Sequence, residues 1–325
     1  MPSQADTPTD ARRDLALLEL IRAVGETGYR FVTVTPETHR RVLERRAAAR
    51  ACDLRDVFGW NLPFDEILLP QPIRNALRDG GMMVREEGAC KSLVRISSIG
   101  DRLFLHSAYP TEDADAVFLG PDSYRFAAFL SAEIPALGPV RRLVDVGTGA
   151  GVGAIAAAPL LMDAQLTLTD VNPLALRLAR INAAYAGLDV ETVECEGLAG
   201  VPDPLDLVIA NPPFIVDPLR RTYRDGGDLH GARLSLDWAT EAAGRLAPGG
   251  AVLLYTGSAI VAGRDGFKEA LGRAMAARGC ATRYYEIDPD IFGEQLDQPG
   301  YEEVERIAAV GAVIRRPPTN RTAAA

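Results

Sequence analysis

The chain has 325 residues, enough for one large domain or two of ordinary size, and 47% of them are hydrophobic, so it can bury a sizeable core. Its 35 basic and 44 acidic residues give a net charge of −9, which argues against a protein that binds nucleic acid over its whole surface. The four cysteines are scattered without CxxC spacing, so no metal site is predicted. The amino terminus has no apolar signal core, and no apolar run is long enough to span a membrane. We therefore expect a cytoplasmic protein.

The first 115 residues predict a smaller α+β region that recognises the substrate. Apolar residues at helical spacing predict a helix over 11–24, and Thr35 followed by Pro36 is a typical start for a second helix that runs to about residue 50. A third helix is expected over 65–79. Short strand-like runs separated by Gly and Asp then follow, at 82–85, 92–96 and 102–106.

Residues 116–325 predict a second, α/β domain. Strands and helices alternate regularly from about residue 140, which is typical of a parallel sheet covered by helices. We expect a Rossmann-like, seven-stranded, mostly parallel sheet with an antiparallel edge strand, because the two last strands are close enough in sequence to pair with each other. The expected strands are 142–146, 166–169, 206–210, 251–255, 282–287 and 306–314, and the expected helices are 154–161, 174–185, 234–246 and 267–278.

A glycine-rich turn follows the first of these strands, where residues 145–151 read Asp-Val-Gly-Thr-Gly-Ala-Gly. Glycine lets the backbone approach a ligand closely, and the following helix offers free N–H groups. Asp145 lies inside the strand, where a charge is costly without a role. Asp170, at the end of the next strand, can accept hydrogen bonds from both hydroxyls of a ribose. This pattern fits either a nicotinamide dinucleotide or S-adenosylmethionine, and a tight turn without a ligand is the plain alternative.

A second motif, Asn211-Pro212-Pro213-Phe214, follows the apolar strand 206–210 directly. Two consecutive prolines exclude helix and remove two backbone donors, so the loop is stiff and its carbonyls point outward. The side chain of Asn211 and the carbonyl of Pro212 can accept both hydrogens of an NH2 group. Phe214 offers a flat face for a conjugated acceptor. The alternative is a turn that is merely stiffened by proline.

Together these motifs resemble the class I S-adenosylmethionine (SAM)-dependent methyltransferases of the "small-domain" group, which carry an (N/D)PP(Y/F) motif. That group includes release-factor glutamine methyltransferases and ribosomal-RNA base N-methyltransferases, and the resemblance covers about residues 120–315. It implies that SAM is the cofactor and that the Asn-Pro-Pro-Phe motif binds and stacks on the acceptor nitrogen. It also implies that the cofactor is bound by Asp145, Gly147, Thr148, Gly149, Gly151, Asp170 and Val171.

Two features leave alternatives open. The family often has Gly-Asp after the third strand, whose carboxylate meets the adenine amino group, and Glu196 matches that pattern only approximately. The polar loop 223–231 is expected to contact or cover the substrate through Tyr223, Arg224, Asp225 and His230, although a plain surface loop is the other interpretation.

The predicted function is methyl transfer from SAM to a planar amide or amino nitrogen of a macromolecule, either a protein glutamine or an RNA base. The acidic charge of the chain fits a protein acceptor similar to a release factor, whereas RNA predicts a basic stripe that the sequence barely shows. One alternative is a small-molecule N-methyltransferase whose N-terminal region caps the site. Another, of a different class, is a non-catalytic SAM-binding or dinucleotide-binding module.

Overall fold

The computed structural model describes residues 10–46, 50–86, 88–111, 113–161, 163–217 and 224–319. Its N-terminal part holds four helices followed by two β-hairpins, in which β1 pairs with β2 and β3 with β4. These elements are α1 Asp10–Glu26, α2 Pro36–Arg45, α3 Leu54–Phe58, α4 Gln71–Asp79, β1 Met83–Glu86, β2 Ala89–Ser92, β3 Val94–Ile99 and β4 Arg102–Ser107. Within the described residues, no helix is long and apolar enough to cross a bilayer.

The rest of the chain forms one large sheet with helices on its faces. Its elements are α5 Pro121–Glu133, β5 Arg142–Val146, α6 Val152–Ala157, β6 Gln165–Asp170, α7 Pro173–Tyr185, β7 Glu191–Glu194, β8 Leu205–Ala210, α8 Arg233–Arg245, β9 Leu246–Val261, β10 Arg264–Asp265, α9 Gly266–Ala276, β11 Ala281–Asp288 and β12 Val304–Arg315. The main strand order is β11-β12-β9-β8-β5-β6-β7, with the short β10 paired to β9. Strands β5 to β9 run parallel to one another, and β12 runs antiparallel to both its neighbours.

The expected Rossmann-like α/β fold is thereby confirmed, and so is the pairing of the two last strands. The antiparallel strand β12 lies one position inside the edge, between β9 and β11. Strand β9 is much longer than the expected 251–255, because β12 supplies ladder partners as far as Val261. Pro70 divides the helix expected over 65–79 into a 3-10 turn and α4, since proline forces the residue before it into an extended conformation.

The N-terminal part packs directly onto the helices that cover the sheet. Leu17 and Leu20 of α1 belong to the same buried apolar cluster as Leu178 of α7. The buried side chain of Asn182 adds polar contacts, because it exchanges hydrogen bonds with the backbone of Leu105 in β4 and donates to a carbonyl in the glycine turn. The N-terminal hairpins are therefore held against the end of the sheet that carries this turn. A domain division between residues 115 and 116 stays a prediction.

Candidate active site

A cavity of 540 Å³ lies at the carboxyl ends of β5, β6 and β8. It brings together most of the residues that the sequence singled out, although they are up to 80 positions apart. The predicted residues that line it are Asp145, Gly147, Thr148, Gly149, Asp170, Val171, Glu196, Asn211, Pro212, Pro213, Phe214, Arg224 and Asp225. Gly151 and His230 are not among the lining residues, and Tyr223 lies outside the described part of the chain.

The glycine turn between β5 and α6 has left-handed backbone where it meets the cavity. Gly147 has a φ of +63°, and a Cβ there would lie 2.5 Å from the indole ring of Trp238. Gly149 has a φ of +55° and open space where a Cβ would project. Gly151 differs, because its Cα faces Ala179 and it begins α6 with a φ of +81°. A contact of Gly151 with the cofactor stays a prediction, and the left-handed backbone and the closeness of Ala179 in α7 favour glycine at this position.

Asp145 is almost fully buried, and its hydrogen bonds stabilise the glycine turn. One of its carboxylate oxygens accepts hydrogen bonds from the Thr148 hydroxyl at 2.8 Å and from the Ala154 N–H at 2.9 Å. Burial raises the pKa of Asp145 to about 7, although these two hydrogen bonds act in the opposite direction. The carboxyl thus connects the strand, the turn and the first turn of α6.

Asp170 ends β6 on the other side of the same turn. Its two oxygens accept hydrogen bonds from the N–H groups of Gly149, at 3.0 Å, and Asn172, at 2.9 Å. Each oxygen can accept a further hydrogen bond, and burial raises the pKa of this carboxyl, which lines the cavity. The neighbouring Val171 is 44% exposed, which leaves an apolar surface beside the carboxylate, and the exposed Glu196 lies on the same side of the cavity.

The Asn-Pro-Pro-Phe loop leaves β8 next to the glycine turn, since β8 pairs with β5. The side-chain amide of Asn211 makes no hydrogen bond to the described residues and lines the cavity. The ring of Phe214 is 8% exposed and packs over Gly257, where a Cβ would approach it to 2.3 Å. Phe292 supports the same ring at a centroid distance of 5.9 Å. One part of Phe214 thus fixes the loop, while another faces the cavity.

The loop after this motif returns to the cavity through Arg224 and Asp225. The guanidinium of Arg224 donates to Gln295 at 3.1 Å, and Asp225 accepts from the N–H groups of Asp217 and Gly227, each at 3.3 Å. His230 is positioned by Tyr301 instead, whose hydroxyl donates to the His230 carbonyl at 3.5 Å. Because His230 does not line the cavity, its contact with a substrate stays a prediction.

The N-terminal part supplies one wall of the cavity, which the sequence did not indicate. Thr33, His39, Arg95 and Tyr109 all line it, and His39 stacks on Tyr109 with the ring centroids 4.0 Å apart. No local signal could have identified these residues, because they come from three separate segments and reach the cavity only through packing on α5 and α7. Among the described residues, no group of three or more His, Cys, Asp or Glu could hold a metal ion.

The chain thus contains a Rossmann-like α/β domain, and its cavity lies at the carboxyl ends of the parallel strands, between β5 and β8, where the strand order reverses. Ligands bind at this position in open α/β sheets. Residues 125–261 match the family described as Methyltransferase small domain. The resemblance drawn from the motifs is confirmed by this match.

Curated relatives each match about a third of the chain. A release factor glutamine methyltransferase of Deinococcus radiodurans is 42% identical over 123 residues, which cover 35% of this chain and 44% of that protein. A ribosomal RNA small subunit methyltransferase C of Pseudomonas aeruginosa is 38% identical over 90 residues, which cover 28% of this chain and 27% of that one. A ribosomal RNA large subunit methyltransferase G of Streptomyces coelicolor is 38% identical over 119 residues, which cover 31% of each. The chain thus spans less than half the length of these relatives.

Proposed function

We propose that this chain transfers a methyl group from SAM to a planar amide or amino nitrogen of a macromolecule, either a protein glutamine or an RNA base. The observation that carries the proposal is the position of Asn211: its amide has no hydrogen-bond partner among the described residues and faces the cavity that the glycine turn lines. The family match and the protein and RNA methyltransferases among the relatives support it.

The residues of the glycine turn fit a nucleoside cofactor with an amino-acid tail. The open space over Gly149 accommodates a ligand close to the backbone. Asp170 retains lone pairs for ribose hydroxyls, and the exposed face of Val171 suits an adenine ring. We assign the remaining cofactor contacts to Gly147, Thr148 and Glu196. When bound, SAM supplies an already activated methyl group on its sulfonium.

The acceptor loop orients the nitrogen. An amide or aryl amine is a weak nucleophile because its lone pair is delocalised. Hydrogen bonds from both of its hydrogens to the Asn211 side chain and the Pro212 carbonyl favour the pyramidal geometry in which that lone pair is available. Phe214 restricts the plane of the acceptor. Alignment therefore provides most of the rate enhancement, and the methylated nitrogen can release its proton afterwards, without a dedicated base.

A transfer assay with tritiated SAM and fractionated lysate identifies the acceptor class by showing whether label enters protein, RNA or small molecules. Label that enters only small molecules would contradict a macromolecular acceptor. In parallel, calorimetry should show binding of SAM, and tight binding of NAD without binding of SAM would overturn the methyltransferase assignment.

Variants of Asn211 test its role. With the labelled acceptor, Asn211→Ala should lower kcat by about 100-fold or more, the order of loss seen when one group that stabilises a transition state is removed. Its affinity for SAM should be nearly unchanged. Asn211→Asp keeps an oxygen acceptor and should retain more activity, whereas Asp170→Ala should weaken SAM binding itself. Full activity of Asn211→Ala would show that the acceptor is bound elsewhere.

A further inference from the structure

Arg95 is a buried cation in the N-terminal wall of the cavity. It lies on β3, and it is 3% exposed. Its Nε donates to the Ser107 carbonyl at 3.1 Å. The other two guanidinium nitrogens have no hydrogen-bond partner among the described residues, and no described carboxylate forms an ion pair with it. This cation therefore lines the cavity without an anion to balance it in the part of the chain that the structure describes.

Two other arginines of this chain, both partly buried, have such a partner. Arg46 pairs with Asp56 at 2.8 Å, and Arg177 pairs with Asp14 at 2.5 Å. Near Arg95, the ionisable groups that favour its charged form are all tyrosines rather than carboxylates. Burial lowers the pKa of Arg95 to about 10, so the guanidinium still carries its charge at neutral pH. A buried charge without a partner is destabilising, and such groups are concentrated at functional sites, where a ligand supplies the partner.

His39 lies close to this cation and is also unsatisfied. It is 1% exposed and lines the cavity, its Nε2 is 3.0 Å from the Trp60 carbonyl oxygen, and its buried Nδ1 has no hydrogen-bond partner. Because Nε2 faces a carbonyl, it carries the ring proton, and Nδ1 is left as an acceptor. Burial, and then the charge of Arg95, lower the pKa of His39 to about 4, so the ring is neutral at pH 7.

We propose that Arg95 binds an anionic oxygen group, a carboxylate or a phosphate, of a ligand in the cavity, and that His39 accepts a hydrogen bond from a donor beside that group. The planar guanidinium suits either anion, since it can donate two parallel hydrogen bonds to it. Two ligands can supply the anion: the methyl donor, through the carboxylate of its methionine part, or the acceptor. The inference rests on the proposed function, because the methyl donor and the acceptor are both ligands of that reaction.

Calorimetry on the full-length protein separates the two sources. Wild type and Arg95→Met are titrated with S-adenosylhomocysteine and with 5′-methylthioadenosine, which lacks the carboxylate. If the donor supplies the anion, the variant binds S-adenosylhomocysteine at least tenfold more weakly and methylthioadenosine unchanged. If the acceptor supplies it, wild type saturated with S-adenosylhomocysteine binds inorganic phosphate or acetate, and the variant does not. Either result supports the inference. It is overturned if Arg95→Met binds S-adenosylhomocysteine, methylthioadenosine, phosphate and acetate in the same way as wild type.

Two further variants keep the test decisive. Arg102→Met is the matched control, because Arg102 lies on the same hairpin, has a buried Nη1 without a partner and does not line the cavity. It should bind all ligands like wild type. If Arg95→Met does not fold, Arg95→Lys takes its place, because lysine keeps the positive charge but lacks the paired donors of the guanidinium. Arg95→Lys should bind the anionic ligand several-fold more weakly than wild type. Unchanged binding would refute the inference. Wild type that binds neither nucleoside would instead refute the proposed function.

Discussion

Replacing Asp145 by asparagine should change how the stability of the protein depends on pH. The raised pKa means that the folded protein keeps the proton of this carboxyl up to about pH 7, whereas the unfolded chain loses it near pH 4. Between these values the unfolded state binds fewer protons, so the free energy of unfolding falls as the pH rises. The stabilisation by this group is thus fully present below about pH 4 and is lost as the pH approaches 7.

The magnitude follows from the same pKa. A rise from 3.8 to about 7 corresponds to about 4 kcal/mol of stability lost across that range, at about 1.4 kcal/mol per pKa unit. Asparagine does not titrate, and its amide oxygen can take the place of the one carboxylate oxygen that accepts from Thr148 and Ala154. Relative to wild type, Asp145→Asn should therefore gain stability steadily as the pH increases.

Urea unfolding between pH 4 and 7.5 measures the effect as the difference in unfolding free energy between wild type and Asp145→Asn at each pH. Asp206→Asn is the control, because the Asp206 carboxylate also accepts two hydrogen bonds in this sheet, both from backbone N–H groups, but lies only partly buried. The difference in unfolding free energy between wild type and Asp206→Asn should change less between pH 4 and 7.5. Parallel stability curves for wild type and Asp145→Asn would refute the reasoning that burial dominates at Asp145.

Three further substitutions test the packing around the cavity. Gly257→Ala should destabilise the protein and weaken acceptor binding, since its Cβ would lie 2.3 Å from the ring of Phe214; an unchanged Tm together with an unchanged KM for the acceptor would contradict this. Tyr255→Phe removes the 2.6 Å hydrogen bond to the buried Asp122 and should cost about 1–3 kcal/mol in urea unfolding, whereas a loss near zero would mean that the carboxyl finds another donor. Thr35→Ala removes the side-chain cap of α2 and should cost about 1 kcal/mol by the same measurement, with Thr35→Ser retaining most of the stability.

The elements that shape the ligand site were predictable because their signals are local. Glycines between a strand and a helix predict a tight turn, and Gly147 and Gly149 have positive φ there. A ligand close to this backbone stays a prediction. The Asn-Pro-Pro-Phe loop was predictable for the same reason, since two prolines after an apolar strand permit few conformations. Parallel strands then bring both loops to one end of the sheet, so the alternation of strands and helices sufficed to place Asn211 near the turn.

Only the tertiary structure decided which residues complete the cavity. Arg95 and His39 reach it because the N-terminal part packs onto the sheet domain, and no spacing in the sequence reports a contact between such distant segments. Gly151 belongs to the glycine pattern, yet it is not among the residues that line the cavity and lies close to Ala179 of α7. His230 belongs to the loop that follows the acceptor motif, yet it is not among the residues that line the cavity. Its backbone carbonyl accepts a hydrogen bond from Tyr301 instead. Sequence patterns thus determined the backbone path around the cavity, whereas long-range packing determined which side chains line it.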